Sequence, residues 1–225
     1  MKGENTLPYD CEAYYREHAA AVESAIRTGV VGDFVFESVN RVFDIVVGLI
    51  GILISIPVIL VFGLLIKMED GGPVFYTQER VGRYGKHFTL YKLRSMKVNA
   101  EDNGAQWADV DDPRITRIGR FIRRTRIDEW PQFLNVILGD MSMVGPRPER
   151  PEFVVEFDQK IPGFIERLSV KPGLTGWAQV NGGYDISAQE KLELDLWYIQ
   201  NRSFYLNLSI LCKTFKVLLT GVGAR

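Results

Sequence analysis

The chain has 225 residues and a mass of 25.6 kDa, which suits a single domain with an added arm. Hydrophobic residues make up 46% of the chain and charged residues 24%, and these fractions exclude both a disordered and a collagen-like protein. The net charge of −1 hides an uneven distribution, since residues 1–40 carry a net −4 and residues 67–126 a net +5. An acidic arm therefore precedes an apolar segment, and a basic segment follows it.

Residues that build metal centres and hydrolase triads are scarce. Cys11 and Cys212 are the two cysteines, and the lack of a CxxC pattern argues against a thiolate zinc site or a disulfide scaffold. His18 and His87 are the two histidines, too few for a multi-histidine metal site, and no G-x-S-x-G motif is present. Any chemistry is therefore expected from carboxylates and arginines.

An apolar run in the first third of the chain predicts a membrane segment. Residues 45–66 form 22 consecutive residues without a charge. As a helix this run is about 33 Å long, and the core of a bilayer is about 30 Å thick. The alternative is a buried core helix, but such a helix need not be apolar on every side.

Pro57 lies in the middle of this run and removes one backbone donor, so a kink is expected there. Ser55 can donate a hydrogen bond back to the carbonyl of Gly51 and cover the loosened backbone. A kinked helix can still span the membrane, or the chain can turn back and leave both flanks on one side. The flanking Arg41 and Lys67 are both positive, so the positive-inside rule does not separate the two arrangements.

Outside the membrane segment, periodicity and turn residues predict a short series of elements. These are a polar helix over 11–27, a hairpin with strands at 74–78 and 87–92, a loop over 99–112, a helix from the capping box at Ser187 to about Gln200, and an apolar segment over 205–220. The last segment is short for a membrane span and is expected to lie in the membrane interface or to close the core.

Arginines recur at three-residue spacing between positions 114 and 126, which places several of them on one face of a helix. A solvated basic face, contact with anionic lipid and phosphate binding are the three interpretations. No nucleic-acid motif accompanies the charges, so no nucleic-acid partner is predicted.

Two carboxylates and two turn-rich stretches are the candidate functional features. Asp128 and Glu129 lie just before a helix predicted to begin at Pro131 and to stop at Gly139. They are either a charged N-terminal pair or a nucleophile beside a metal ligand. The turns at 145–148 and 172–182 are of the kind that positions ligand groups, or they are plain connectors.

Taken together and in order, these motifs resemble the bacterial sugar transferase family, also called monotopic phosphoglycosyl transferases. The resemblance covers roughly residues 38–220. It rests on the Pro-containing apolar helix, GPVFYTQERVG (72–82), YKLRSM (91–96), RIDEWPQFLNVILGDMSMVGPRPERPEF (126–153) and KPGLTGWAQVNG (171–182).

The resemblance implies a transferase that moves a sugar phosphate from a UDP-sugar to polyprenyl (undecaprenyl) phosphate and releases UMP. It implies that Asp128 is the nucleophile and that Glu129 helps to hold Mg²⁺. It associates Pro146, Arg147 and Pro148 with nucleotide binding. It also implies a re-entrant membrane helix that breaks at Ser55 and Pro57.

Further substrate contacts are expected from polar residues of the matching motifs. Arg80, Lys92, Arg94 and Arg147 are candidates for the phosphates and the nucleotide, and Gln179 and Asn181 for the sugar or the nucleotide. The sequence departs from the family pattern at Ile56, where a serine often precedes the helix-breaking proline, and at Gly183, where some members carry an arginine.

The sequence is thus predicted to form an α+β protein, mostly helical with a small β-hairpin, in which a Pro-broken re-entrant helix and interfacial amphipathic helices make a monotopic membrane protein. The expected regions are an acidic arm (1–37), the membrane helix (38–67) and a catalytic domain (68–225) on the cytoplasmic face of the bacterial inner membrane. Membrane lipids are expected partners, and the arm could support a homodimer. A membrane-bound diphosphate hydrolase and a lipid-binding scaffold are the rival functions.

Overall fold

The computed structural model describes residues 10–18, 30–102, 112–182 and 186–220. This part of the chain is mostly helical and contains two small sheets. The helices are α1 (Cys11–His18), α2 (Val30–Asp70), α3 (Arg117–Arg124), α4 (Phe133–Leu138), α5 (Pro151–Lys160), α6 (Trp177–Asn181), α7 (Ala188–Asn201) and α8 (Phe204–Thr220). The strands are β1 (Phe75–Val81), β2 (His87–Leu93), β3 (Ser142–Val144) and β4 (Gly173–Thr175).

Helix α2 contains the predicted membrane segment. Its stretch Phe34–Asp70 is long and apolar enough to cross a membrane, and only 11% of its most apolar window is buried. A wide apolar surface therefore faces outward, which contradicts the alternative of a buried core helix. The helix continues through Pro57, and the Ser55 hydroxyl donates to the Gly51 carbonyl at 2.5 Å, as predicted.

Both ends of α2 are bound to the rest of the domain. Near its start, the Arg41 guanidinium donates to the carbonyls of Val136 and Ile137, at 2.6 Å each. At its end, Asp70 accepts two hydrogen bonds of 2.5 and 2.6 Å from the Arg94 guanidinium. The two flanks of the apolar run thus attach to one folded body.

The predicted hairpin is confirmed, and its strands are longer than expected. Strands β1 and β2 pair antiparallel, with Phe75 opposite Leu93 and Val81 opposite His87. A single 3-10 turn at Arg83–Gly85 connects them. Tyr84 has a φ of 59°, a left-handed conformation that lets this short connection reverse the chain.

A second sheet, which the sequence pattern did not predict, underlies both turn-rich stretches. Strands β3 and β4 pair parallel, with Ser142 opposite Gly173 and Val144 opposite Thr175. A Cβ on Gly173 would lie 2.0 Å from the backbone nitrogen of Gly145, so only glycine fits this approach. The stretches at 145–148 and 173–176 are therefore packed side by side.

The main hydrophobic core lies where α4, α7 and α8 pack on this parallel sheet. Val136, Met141, Val144, Tyr198 and Ile210 are buried in it. The capping box of α7 is present, because the Ser187 side chain accepts from the Glu190 amide and Glu190 in turn accepts from the Ser187 amide. The predicted helix from Ser187 to about Gln200 is therefore confirmed, and the predicted apolar segment over 205–220 forms helix α8.

The predicted arginine helix is shorter than its run of arginines. Helix α3 begins after Thr116, whose side chain caps it, and the Glu69 carboxylate at the end of α2 accepts from the Arg117 amide at 2.7 Å. Arg114 lies before the helix and pairs with Asp112 at 2.5 Å. Of the predicted helix over 11–27, residues 11–18 are helical. Residues 19–29, most of the predicted loop over 99–112 and Gly183 lie outside the described residues.

Candidate active site

The carboxylate pair lies on a 3-10 helix, Ile127–Gln132, that runs directly into α4. The helix predicted to begin at Pro131 begins at Phe133 and ends, as predicted, at Leu138 before Gly139. Pro131 lies inside the 3-10 segment, whose first turn contains Asp128 and Glu129. Arg126 precedes the segment in a left-handed conformation, with a φ of 56°. Such a conformation is costly for a residue with a Cβ and is typical of functional sites.

Glu129 is the centre of a short cation bridge. Its Oε1 accepts from Arg147 Nη2 at 2.5 Å and from Lys92 Nζ at 3.1 Å. Burial alone would raise the pKa of the carboxyl, but the charges of Arg147 and Lys92 outweigh it and hold the pKa of Glu129 well below its usual range. Glu129 is therefore ionised at neutral pH.

Asp128 is in a different electrostatic state from its neighbour. Its side chain is buried, and within the described residues it accepts no hydrogen bond. Burial raises the pKa of Asp128 to about 6 against the opposing charge of Lys92, and the ionised Glu129 adds to the rise. The two carboxyls thus have pKa values on opposite sides of the usual range, a pattern typical of catalytic pairs.

Asp128 and Glu129 are the carboxyls of the site that could hold a magnesium ion together with oxygens of a bound ligand. Within the described ranges no group of three or more His, Cys, Asp or Glu residues is placed to hold a metal, so these residues offer no cage made of protein ligands alone. Mg²⁺ is commonly held by one or two carboxylates together with substrate phosphates and water. Adjacent Asp128 and Glu129 are the described residues of the site that could supply the protein part of such a ligand set.

The Pro146-Arg147-Pro148 turn is held in place through its backbone. The Arg147 carbonyl accepts from Arg167 Nη2 at 3.0 Å. The Pro148 carbonyl accepts from Arg80 Nη1 at 3.0 Å. These two guanidiniums hydrogen-bond to the backbone of the turn and hold it in place. They thereby fix the position from which the Arg147 side chain reaches Glu129.

Behind the turn lies a buried charge cluster centred on Glu149. Glu149 forms an ion pair with Lys191 and lies 3.7 Å from Arg167 and 3.8 Å from Arg80. Arg167 also pairs with the buried Asp195 at 2.5 Å. Burial alone would raise the pKa of Glu149, but the surrounding cations, Lys191 first, lower it to about 2.

The sequence motifs did not predict most of this cluster. Glu149 directly follows the Pro-Arg-Pro motif, which is a signal that could have found it. Arg167, Lys191 and Asp195 lie in stretches without a motif, and only the fold brings them together. Gln132 was also missed. Its Nε2 is buried without a hydrogen-bond partner in the described part of the chain, which leaves a donor available on the same 3-10 helix as the carboxylates.

Of the predicted substrate contacts, Lys92 and Arg147 pair with Glu129. Arg80 does not contact the carboxylate pair and binds the Pro148 carbonyl behind Arg147. Arg94 is placed elsewhere, since its guanidinium is engaged by Asp70 and by the carbonyls of Pro73 and Met96. The hydrogen bonds of Arg94 fasten the end of α2 to the hairpin.

Gln179 and Asn181 lie on helix α6, where a turn-rich loop was expected. Asn181 Oδ1 accepts from Lys213 Nζ at 3.0 Å, and Gln179 Oε1 is buried without a partner among the described residues. The helix begins beside the Pro-Arg-Pro turn, because a Cβ on Gly176 would lie 2.2 Å from the Gly145 carbonyl oxygen. The two amides are therefore near the turn, and no hydrogen bond among the described residues joins them to the carboxylates.

The arginines around α3 add positive charge to the site. Arg123 and Arg147 both act to lower the pKa of Asp128, and Arg126 acts to lower that of Glu129. The charges of part of the predicted basic face thus act on the carboxylates. Together with Lys92 it makes an environment suited to anionic groups such as phosphates.

The fold and the site define a protein with an exposed apolar helix fastened at both ends to a domain that holds two carboxylates beneath several cations. The sequence model of the family described as bacterial sugar transferase matches residues 35–221. The chain therefore belongs to the bacterial sugar transferase family.

Relatives with informative names share this part of the chain. A UDP-N-acetylgalactosamine-undecaprenyl-phosphate N-acetylgalactosaminephosphotransferase from Aeromonas hydrophila is 46% identical over 194 residues, which is 85% of this chain and 46% of the relative. A putative undecaprenyl-phosphate N-acetylgalactosaminyl 1-phosphate transferase from Bacillus subtilis (strain 168) is 62% identical over 131 residues, 58% of this chain and 73% of the relative. A UDP-glucose:undecaprenyl-phosphate glucose-1-phosphate transferase from Escherichia coli (strain K12) is 40% identical over 180 residues, 78% of this chain and 39% of the relative. The chain thus spans less than half the length of the first and the last of these.

Proposed function

We propose that this protein transfers a sugar 1-phosphate from a UDP-sugar to undecaprenyl phosphate through a covalent intermediate on Asp128. The observation that supports this most is the opposite state of two adjacent carboxyls, one ionised and bridged to two cations and one buried with no hydrogen bond among the described residues. Covalent catalysis at phosphorus requires a nucleophile beside groups that neutralise the negative charge of the phosphates. Here Lys92 and Arg147, which are paired with Glu129, are those groups.

The reaction has two balanced steps. In the first, an Asp128 carboxylate oxygen attacks the phosphorus that bears the sugar, the bond from that phosphorus to the oxygen bridging to UMP breaks, and UMP leaves with the bonding electrons. In the second, an oxygen of undecaprenyl phosphate attacks the same phosphorus, and the bond to Asp128 breaks. The product is an undecaprenyl diphosphate sugar, and the Asp128 carboxylate is regenerated.

The chain's own cations carry the charge of this reaction. A carboxylate and a diphosphate repel each other, so attack needs positive groups around the phosphates. Lys92 and Arg147, held beside Asp128 by Glu129, are assigned to the diphosphate, and Arg147 to the nucleotide side of it. Arg80 acts through the backbone of the Pro-Arg-Pro turn. Gln179 and Asn181 remain proposed contacts at a greater distance, whereas Arg94 is engaged by Asp70 and is no longer assigned to the substrate.

We assign Mg²⁺ as the cofactor, with Glu129 as its ligand and Asp128 beside it. When bound, the ion neutralises charge on the phosphate oxygens and on the departing UMP. Glu129 then has a double role in the free protein and in the complex. It keeps Lys92 and Arg147 near the site, and it presents its carboxylate to a cation.

We further propose that α2 bends at Ser55 and Pro57 within the membrane and returns, so that both flanks lie on the cytoplasmic face. The hydrogen bonds at its two ends support this, because Arg41 and Asp70 attach to the same catalytic domain and a helix that crossed the bilayer would separate them. The arm 1–37, the membrane helix 38–67 and the catalytic domain 68–225 then form one monotopic protein. Its site is held where the phosphate of undecaprenyl phosphate lies.

Cysteine labelling tests this topology. Ser38→Cys and Val98→Cys place thiols at exposed positions on opposite flanks of the apolar run, in a background with Cys11→Ser and Cys212→Ser. A membrane-impermeant maleimide should label both only in inverted vesicles. Labelling of one site from each side would show that the helix crosses, and would overturn the proposal.

UMP release tests the activity. The purified protein is incubated with undecaprenyl phosphate, Mg²⁺ and a panel of UDP-sugars that begins with UDP-N-acetylgalactosamine, because two of the relatives above carry that sugar in their names. UMP release that requires the lipid is the expected result. Release at the same rate without the lipid would identify a diphosphate hydrolase instead, and no release from any donor would contradict the proposal.

A further inference from the structure

A cavity of about 470 Å³ lies at the start of α2, away from the carboxylate pair. Its walls come from the first turns of α2, from β3, from residues 170 and 171 and from α7 and its end. None of the lining residues belongs to the carboxylate pair or to its ion partners Lys92 and Arg147. The cavity is therefore separate from the site described above.

Four cationic and two anionic side chains line this cavity. Both anionic side chains already have partners. Glu37 pairs with Arg83 at 2.8 Å and with Arg202 at 3.4 Å. Asp44 accepts from the Met143 amide at 2.9 Å and from the Ser142 hydroxyl. The remaining cations, Arg41 and Lys171, leave the cavity with an excess of positive charge.

Of the four cations that line the cavity, Lys171 has the fewest polar partners among the described residues. Within the described residues its ammonium makes no hydrogen bond and no ion pair. The ammonium and the Arg41 guanidinium lie 3.7 and 3.3 Å from the point that a Cβ on Gly139 would occupy, so they are at most 7.0 Å apart. Burial and the charge of Arg41 lower the pKa of Lys171. An anion placed between these two cations would reduce the repulsion between their positive charges.

The position of the cavity along α2 indicates what such an anion belongs to. The α2 residues that line it, 34–44, directly precede the apolar run that begins at Ile45. At 1.5 Å per residue they cover about 15 Å of helix. A headgroup layer of about 5–8 Å lies on each side of the bilayer core. The cavity is therefore at the depth of lipid phosphates, and the 75% exposed Phe34 lies beside it.

We propose that this cavity binds the headgroup of an anionic phospholipid, whose phosphate is held by Lys171 and Arg41 while Phe34 and Phe36 contact its glycerol and upper acyl chains. The volume exceeds what a phosphate ion alone would fill, and the two aromatic rings suit the lipid part. The proposal rests on the membrane placement of α2 proposed above. Arg41 already spans two backbone carbonyls, so Lys171 is the residue whose removal should affect the lipid without affecting the fold.

Native mass spectrometry of the delipidated full-length chain in detergent measures this binding. Phosphatidylglycerol and phosphatidylcholine are added in turn to the wild type, Lys171→Gln, Lys171→Arg and Lys160→Gln. Lys160 is a matched control, because it is an exposed lysine on α5 whose ion pair is with Glu156 four residues earlier. Phosphatidylglycerol should bind the wild type and Lys160→Gln equally and Lys171→Gln about tenfold more weakly, as expected for the loss of one charge-assisted hydrogen bond. Lys171→Arg should restore binding.

Equal binding of phosphatidylglycerol to Lys171→Gln and to the wild type would overturn the proposal, and so would equal binding of phosphatidylcholine and phosphatidylglycerol. Inorganic phosphate provides a further arm, read as a shift in the thermal unfolding midpoint. A shift with phosphate that depends on Lys171, without retention of phosphatidylglycerol, would assign the cavity to a soluble anion and also overturn it. UMP release by Lys171→Gln in detergent should equal that of the wild type, which separates this inference from the proposed activity.

Discussion

Arg147 and Glu129 form an ion pair of 2.5 Å between Nη2 and Oε1, and the same carboxylate oxygen accepts from Lys92. The Glu129 carboxylate thus holds two cations directly beside the buried carboxyl of Asp128. When a diphosphate enters the site, its oxygens can compete with Glu129 for these cations. Ground-state pairing within the protein would then be exchanged for pairing with the substrate, at little cost in reorganisation.

Replacement of Asp128 tests the covalent step. Asp128→Asn is expected to lower turnover at least about a thousandfold, because a carboxamide cannot form the bond to phosphorus. Intact-mass spectrometry with UDP-sugar and no lipid should detect a sugar-phosphate adduct on the wild type and none on the variant. Asp102→Asn, at an exposed aspartate, is the control. Turnover of Asp128→Asn near the wild-type rate would refute the nucleophile assignment.

Replacement of Glu129 tests its role as a metal ligand. Glu129→Gln keeps the shape of the side chain and removes its charge, so the Mg²⁺ concentration for half-maximal UMP release should rise ten- to a hundredfold. Glu156→Gln, on an exposed helix face, should leave this concentration unchanged. An unaltered Mg²⁺ titration of Glu129→Gln would exclude a ligand role.

Arg167 is predicted to be a positioning residue for the Pro-Arg-Pro turn. Arg167→Lys keeps the charge near Asp195 and Glu149 but loses the planar fork that also reaches the Arg147 carbonyl. The KM for the UDP-sugar should rise about tenfold, the loss expected for one hydrogen bond of a charged donor, with a smaller change in kcat. Arg16→Lys, at an exposed ion pair on α1, is the control. A fall in kcat with an unchanged KM would contradict a positioning role.

The buried Glu149 is predicted to make stability depend on acid. Its pKa lies at about 2 in the folded protein against 4.5 as the ordinary value, so its stabilisation is complete above about pH 4.5 and is lost as the pH falls toward 2. The difference corresponds to roughly 3 kcal/mol. Thermal unfolding in detergent should find Glu149→Gln less stable than the wild type at pH 7, with a difference that shrinks between pH 5 and pH 3. A difference that is constant with pH would contradict this account.

The sequence predicted the features that depend on near neighbours in the chain. The apolar run predicted α2, alternation with a turn predicted the hairpin, and Ser187 with Glu190 predicted the start of α7. The back-bond from Ser55 to Gly51 was also predictable, since it joins residues four positions apart. In each case the deciding interaction spans a few residues, and so local pattern is sufficient.

The tertiary structure decided which charges meet. Lys92 and Arg147 were named from motifs, but only the fold places both on one oxygen of Glu129. The sequence alone did not separate the structural role of Arg94 from a substrate role, because its partner Asp70 is 24 residues away. Electrostatic interactions act through space and depend on burial, so the pKa values of the two adjacent carboxyls diverge for reasons that no linear pattern contains.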